Sequence, residues 1–146
     1  MPYKSKTLAT WLALLGGSLG LHRFYLNGWR DALAWLHTLP TLAGLLGVER
    51  MLELGQDDRL SWLLLPLLGL MVAQAALFAI VYGLLPDARW DALHNPGSPV
   101  HATGWGPVLG VIAALAIGAT ALMATIAFSG QRYFEWQVDE ARKTSQ

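Results

Sequence analysis

Four histidines and one buried-range amide are the side chains in this 146-residue chain best able to do chemistry. His37 lies inside an apolar run, three residues before Pro40 and beside Thr38 and Thr41. Proline frees a backbone carbonyl about one turn earlier, near Leu36, and a threonine hydroxyl can satisfy such a group. An ionisable residue within a membrane segment marks a functional candidate, and the plainer alternative is a neutral imidazole bonded to a neighbouring helix. Gln74, near the centre of another apolar run, invites the same two readings: a ligand on a transport path or an interhelical hydrogen bond. His94 and His101 are seven apart, with Asp87 and Asp91 upstream, which are residue types zinc accepts. The intervening "NPGSP" matches no standard zinc spacing, so neither a metal nor a cofactor site is expected. His22 is followed at once by Arg23, Phe24 and Tyr25. No nucleophile–base pair and no phosphate-binding glycine loop is present, so no enzyme is expected. No Asp or Glu lies inside the apolar runs, which argues against proton-coupled transport and acidic selectivity rings.

These residues sit on an unusually apolar scaffold. Hydrophobic residues make up 54% of the chain and charged ones 14%, against roughly 25% in soluble domains. The apolar residues come in blocks rather than at helical or strand periods, as in a polytopic membrane protein. Net charge is zero, which gives nucleic acid no footing. There is no cysteine, so disulfide and thiolate chemistry is excluded. Five of the seven tryptophans (Trp11, Trp29, Trp62, Trp105 and Trp136) fall in or near the ends of apolar blocks, the depth an indole prefers in a bilayer.

A membrane-spanning helix needs about 20 apolar residues. Leu60 to Leu85 and Trp105 to Phe128 meet that length without a charge. Thr7 to Leu21 and Ala32 to Val48 are shorter, and are read as two further spans, with a re-entrant pair as the alternative. A signal peptide is a lesser rival for the first block. The expected fold is all-α with four transmembrane helices: a short N-terminal hairpin (1–48), a polar connector (49–59), two longer spans with a Pro/Gly-rich loop (60–128), and an interfacial tail (129–146). On four crossings, Lys4, Lys6, Arg50, Arg59, Arg132, Arg142 and Lys143 share one side and Arg23, Arg30 and Arg89 the other. The positive-inside rule then makes both termini cytoplasmic.

Small residues mark the expected packing faces. Gly16 and Gly20 are four apart on the first block, as are Gly106, Gly110, Ala114 and Gly118 on the last, with Ala75, Ala79 and Gly83 as a matching row. Such rows let membrane helices approach closely, within the chain or between copies. The change to His22–Arg23–Phe24–Tyr25 reads as a hairpin turn at the headgroup layer, with Arg23 reaching lipid phosphate and Asn27–Gly28 accepting positive φ.

The stretch "KSKTLATWLALLGGSLGLHRFYLNG" resembles the opening of the TM-two domain family, two membrane helices joined by a turn bearing an Asp-Arg-Phe-like motif. The basic flank, the glycine-rich helix end and "HRFYLNG" occur in family order over about Lys4 to Val48. His22-Arg23-Phe24 takes the motif position, with histidine in place of the animal aspartate, as bacterial members often have. "LLGVERM" departs from the family pattern at the end of the second helix. The resemblance implies an integral membrane protein and no particular chemistry. The expected role is a non-catalytic scaffold or interaction subunit of the bacterial inner membrane, with the bilayer and a membrane protein or a second copy as partners. The rivals are a small channel or transporter with a path at His37 and Gln74, and a lipid-handling protein using His22 and Arg23.

Overall fold

The structure, a computed structural model, describes residues 3–145 and contains only helices among them. In order they are α1 (Lys6–Gly16), a single 3-10 turn (Gly17–Leu19), α2 (Leu21–Asn27), α3 (Ala32–Leu54), α4 (Arg59–Leu84), α5 (Asp87–His94) and α6 (Gly106–Thr144). Two of them, α4 and α6, are long and apolar enough to cross a membrane. Only 22% and 17% of their most apolar windows is buried within the chain, whereas the core helix of a soluble protein would be mostly covered.

α4 is the spine, and every long helix runs antiparallel to it. Along α6, Gly118 meets Ala76, Thr125 meets Gly69, and Arg132 reaches Trp62. Along α3, His37 lies by Gln74, Gly44 by Leu68, and Gly47 by Leu64 and Leu65. The α3–α4 turn is closed by a forked ion pair: Arg50 Nε and Nη2 each lie 2.9 Å from an Asp58 oxygen. Asp58 also caps α4 by accepting from the Ser61 amide at 3.0 Å, which satisfies an orphan donor of the helix start.

The N-terminal segment departs from the expected hairpin. α1 has 11 residues, about 16 Å of helix, and cannot cross an apolar layer about 30 Å thick. It starts beside the C-terminal end of α4, where Lys6 Nζ donates to Leu85 O at 2.9 Å and pairs with Asp87 at 2.5 Å. It ends opposite Ala75, roughly 15 Å down the spine. There the chain reverses through the 3-10 turn and Gly20 at φ +78. α2 then returns to the starting end: Tyr25 Oη accepts from the Ser5 amide at 2.7 Å, and Tyr25 O accepts from Lys4 Nζ at 2.5 Å. The segment expected to be a turn, His22–Asn27, is therefore helical, and the reversal occurs earlier, at the glycines.

Glycine is required at this reversal. A Cβ on Gly17 would sit 2.9 Å from the Ala75 Cβ, and one on Gly20 would run into the Ala34 carbonyl. Gly16 and Gly20 thus do not share a helix face; the helix ends between them because the backbone folds back against α3 and α4. The Gly106–Gly118 row is used within the chain: Gly106 abuts Thr7, Gly110 abuts Thr10, Ala114 is fully buried, and Gly118 abuts Ala76. Of the row expected to match it, Gly83 meets Val111 and the Pro107 carbonyl of α6 while Ala75 packs against Gly17 instead, and Ala75, Ala79 and Gly83 are all buried.

Replacing Gly17 with alanine should therefore destabilise the protein by about 1–3 kcal/mol through overpacking. Gly130 lies inside α6 with open space around it, so Gly130→Ala should be neutral or stabilising by up to about 1 kcal/mol. Thermal melting in mild detergent separates the two, and equal melting of both variants would disprove close packing at the reversal.

Candidate functional site: a polar cluster behind the family turn

The reversal brings three separately noted residues together. His22, on α2, is fully buried. Its ring centroid lies 4.9 Å from that of Phe78, 5.7 Å from that of His37 and 5.8 Å from that of Tyr82. His37 Nδ1 is 2.6 Å from Leu33 O, and its Nε2 is 3.4 Å from Gln74 Nε2. The carbonyl can only accept and the amide nitrogen can only donate. Nδ1 is therefore the donor to Leu33 O, and Nε2 is the ring nitrogen that faces the Gln74 amide. Both ring nitrogens of His22 are buried without a hydrogen-bond partner among the described residues.

The threonines beside Pro40 do not take the carbonyl expected: among the described residues neither hydroxyl bonds Leu36 O, and Thr38 lies 3.5 Å from Leu19 O instead. The Thr41 hydroxyl lies 2.9 Å from His37 O and 2.5 Å from Ser18 O, so its single proton serves both the proline-disturbed helix and the 3-10 turn. Sequence reasoning linked Thr41 only to its own helix. The second acceptor is supplied by the reversal, which no local pattern announces.

Arg23 is paired within the chain. Its Nη2 lies 2.8 Å from Asp31, the N-cap of α3. Asp31 also accepts from Asn27 Nδ2 at 2.5 Å and from the amides of Leu33 and Ala34 at 2.9 and 3.2 Å. The Asn27 bond foremost, then Arg23 and the Ala34 amide, hold the Asp31 carboxyl down to about 2. Asp31 was missed as a site residue, although an Asp one position before a helical block is an N-cap signal. Phe24 packs with Trp29 and Trp35 at 5.0 and 5.1 Å, a mostly exposed aromatic group at this end of the molecule. Tyr25 anchors the N-terminus, and Gly28 adopts φ +84 as the expected turn glycine; Asn27 stays helical.

The Pro/Gly loop closes over the same end. Trp90 Nε1 and Asn95 Nδ2 donate to Lys4 O at 2.8 and 3.1 Å. The buried Asp91 accepts from the His101 amide at 2.8 Å and from Asn95 at 2.7 Å, while His94 stacks on Trp90 at 4.3 Å. His94 and His101 are thus occupied with separate partners rather than convergent. Asp87 accepts from Lys6 and from the amide and hydroxyl of Thr103, contacts that hold its carboxyl below the usual range.

Residues 2–54 match the family model of the TM2 domain, which bears out the resemblance read at Lys4–Val48 and extends it to the end of α3. The match, with two apolar helices largely uncovered by the chain itself, supports a membrane protein. No curated protein and no solved structure matches the chain.

Asp31 and Asp58, each held down to about 2 from an ordinary 3.8, give a pH dependence of defined sign. A carboxyl with a lowered folded-state pKa contributes stability above its unfolded value and loses it as pH falls through the folded value. Thermal stability should therefore decline between pH 4 and pH 2. Asp31→Asn should lower the melting temperature at neutral pH and shrink that acid-dependent loss. An unchanged acid profile would mean that the Asp31 contacts contribute nothing to folding.

Proposed function

We propose that this is a non-catalytic, multi-pass protein of the bacterial inner membrane that acts as an interaction subunit for another membrane protein or a second copy of itself. The observation carrying this reading is that the conspicuous polar groups of the family turn face inward. His22 is enclosed, Arg23 is paired, Lys4 and Lys6 are bound, while leucines of α3, α4 and α6 face outward. The inward commitment of His22 and Arg23 also leaves them poorly placed to handle lipid at the surface. Histidine at the motif position, frequent in bacterial family members, favours the bacterial assignment.

The geometry favours three crossings plus a re-entrant hairpin over four crossings. α1 enters beside the C-terminal end of α4, turns near mid-depth and leaves as α2 on the same side. α3, at 23 residues or about 34 Å, then crosses with α4 and α6. On this arrangement the N- and C-termini lie on opposite sides. Lys4, Lys6, Arg23, Arg30 and Arg89 fall at one end and Arg50, Arg59, Arg132, Arg142 and Lys143 at the other. The seven-to-three imbalance of the four-span count becomes five to five, so the basic residues stop selecting a cytoplasmic side.

A second reading has its own observation: His22, His37 and Gln74 converge between α2, α3 and α4. A small-solute path there would use these groups. Purified protein in liposomes should then show a cation, proton or water flux that Gln74→Leu abolishes; flux equal to empty liposomes removes this reading.

The scaffold reading predicts a defined complex in native membranes extracted with mild detergent, larger than one chain and its micelle. A monodisperse monomer would overturn it. For the topology, single cysteines are informative because the chain has none. Cysteines at Tyr3 and Ser98 should label from one side with an impermeant thiol reagent, and those at Asp57 and Ser145 from the other. Four crossings instead place Tyr3 with Asp57 and Ser145.

A further inference from the structure

We infer that the seam between α4 and α6 holds one anionic phospholipid, its phosphodiester at Arg59 and Arg132 and an acyl chain along the leucines below. This rests on the membrane reading above and goes beyond it. At the N-terminal end of α4 a recess of about 310 Å³ is lined by Arg59, Trp62, Ser129, Arg132, Tyr133 and Trp136, together with Leu63. It contains two guanidinium groups and a hydroxyl, and no carboxylate lines it.

The charges at this recess are unevenly committed. Arg132 has a side chain only 10% exposed, held between the rings of Trp62 and Phe128 at 5.4 Å from each. Its Nη1 pairs with Glu135 at 2.6 Å and its Nη2 lies 3.4 Å from Gln56, but its Nε is buried without a partner. Glu135 and Gln56 line the neighbouring recess and not this one. Arg59 is exposed and makes no ion pair among the described residues, and Glu140, whose carboxyl its charge helps hold down, is paired with Lys143 at 2.9 Å. The uncommitted Arg59 guanidinium can give a phosphodiester charge-assisted bonds, with the ion-paired Arg132 lining the same recess beside it.

The seam below supplies the lipid's other half. Leu63, Leu70 and Leu77 follow one another at seven-residue intervals on α4, as do Leu115, Leu122 and Ser129 on α6, and seven-residue spacing keeps each row on one helix face. Between the rows, further from the arginines, lies a second apolar recess of about 390 Å³ that includes Leu70, Leu77, Leu115 and Leu122. The arginines therefore stand where the apolar stretches of both helices end, at the depth of a headgroup, with Tyr133 and Trp136 as flanking interfacial rings. A free phosphate would use only the upper recess; a phospholipid uses both.

The test is thermal melting of the full chain in mild detergent while dioleoyl phosphatidylglycerol, dioleoyl phosphatidylcholine or inorganic phosphate is titrated in. Phosphatidylglycerol should raise the melting temperature saturably, at concentrations about tenfold below those of phosphatidylcholine, with phosphate inactive. Arg59→Gln should melt like the parent without lipid, because Arg59 supports no contact in the fold, yet need about tenfold more phosphatidylglycerol. Arg89→Gln, at the other end of α4, should leave the titration unchanged. Equal action of the two lipids, or an Arg59→Gln titration identical to the parent's, would overturn the site. Equal action of phosphate would reduce it to an anion site without a lipid. If neither lipid acts at all, the site is absent, while the membrane reading still stands on the family match and the two apolar helices.

Discussion

A chain that reverses direction among closely packed helices has to pair or enclose its backbone polar groups, because leaving them buried and unpaired is costly. The segment Gly16–Gly20 does this, and the remainder of the N-terminal half is arranged around it. The 3-10 turn presses on Ala75 of α4 and the left-handed Gly20 on the Ala34 carbonyl of α3, which encloses the backbone between helices. Thr41 then donates to the Ser18 carbonyl from the adjoining helix. Small residues let the backbones approach, and the hydroxyl supplies the polar partner that the approach makes necessary.

Once the reversal is set, its two arms must both end at one level, and ionic and hydrogen-bonded contacts gather there. Lys6 joins α1 to the start of α5, Arg23 joins α2 to the cap of α3, and Lys4 is held by Tyr25, Trp90 and Asn95. The opposite end has its own lock in the Arg50–Asp58 fork. These pairs lie where apolar helices end, so each charge is desolvated only in part while its geometry still fixes one helix against another. The result is an arrangement with small and polar residues inward and leucines outward, the reverse of a soluble bundle.

The family turn takes on a different meaning in this setting. His22 is a wedge between α2, α3 and α4, stacked near Phe78 and Tyr82, and not a headgroup anchor. Its neighbour Arg23 belongs to the cap of α3. The motif therefore couples the TM2 domain to α4, a helix outside the matched residues 2–54.

Much was legible in the residues themselves, for reasons that are local. An uninterrupted apolar run identifies α4 and α6, because twenty uncharged residues have few alternatives to a spanning helix. Small-residue rows at a spacing of four identified the Gly106–Gly118 face, since that spacing fixes a helix face whatever lies opposite. Gly28 at positive φ and the helical tail were legible on similar grounds. The resemblance at Lys4–Val48 was carried by local order as well.

What the tertiary structure alone decided concerns the choice between equivalent local patterns. "GGSLG" is compatible with a continuous helix or with a reversal. The reversal wins because α3 and α4 provide Ala34, Ala75 and Thr41 to enclose it. That choice moves Lys6 beside Asp87 and Lys4 beside Trp90 and Asn95, each some eighty to ninety residues away, and with them the charge count on which orientation depended. It also brings His22, His37 and Gln74 together, although the sequence separates them by tens of residues and assigns them to different depths. Spacing along a chain encodes faces and lengths; which face meets which is set by packing between distant segments, and that is where this protein's polar centre was determined.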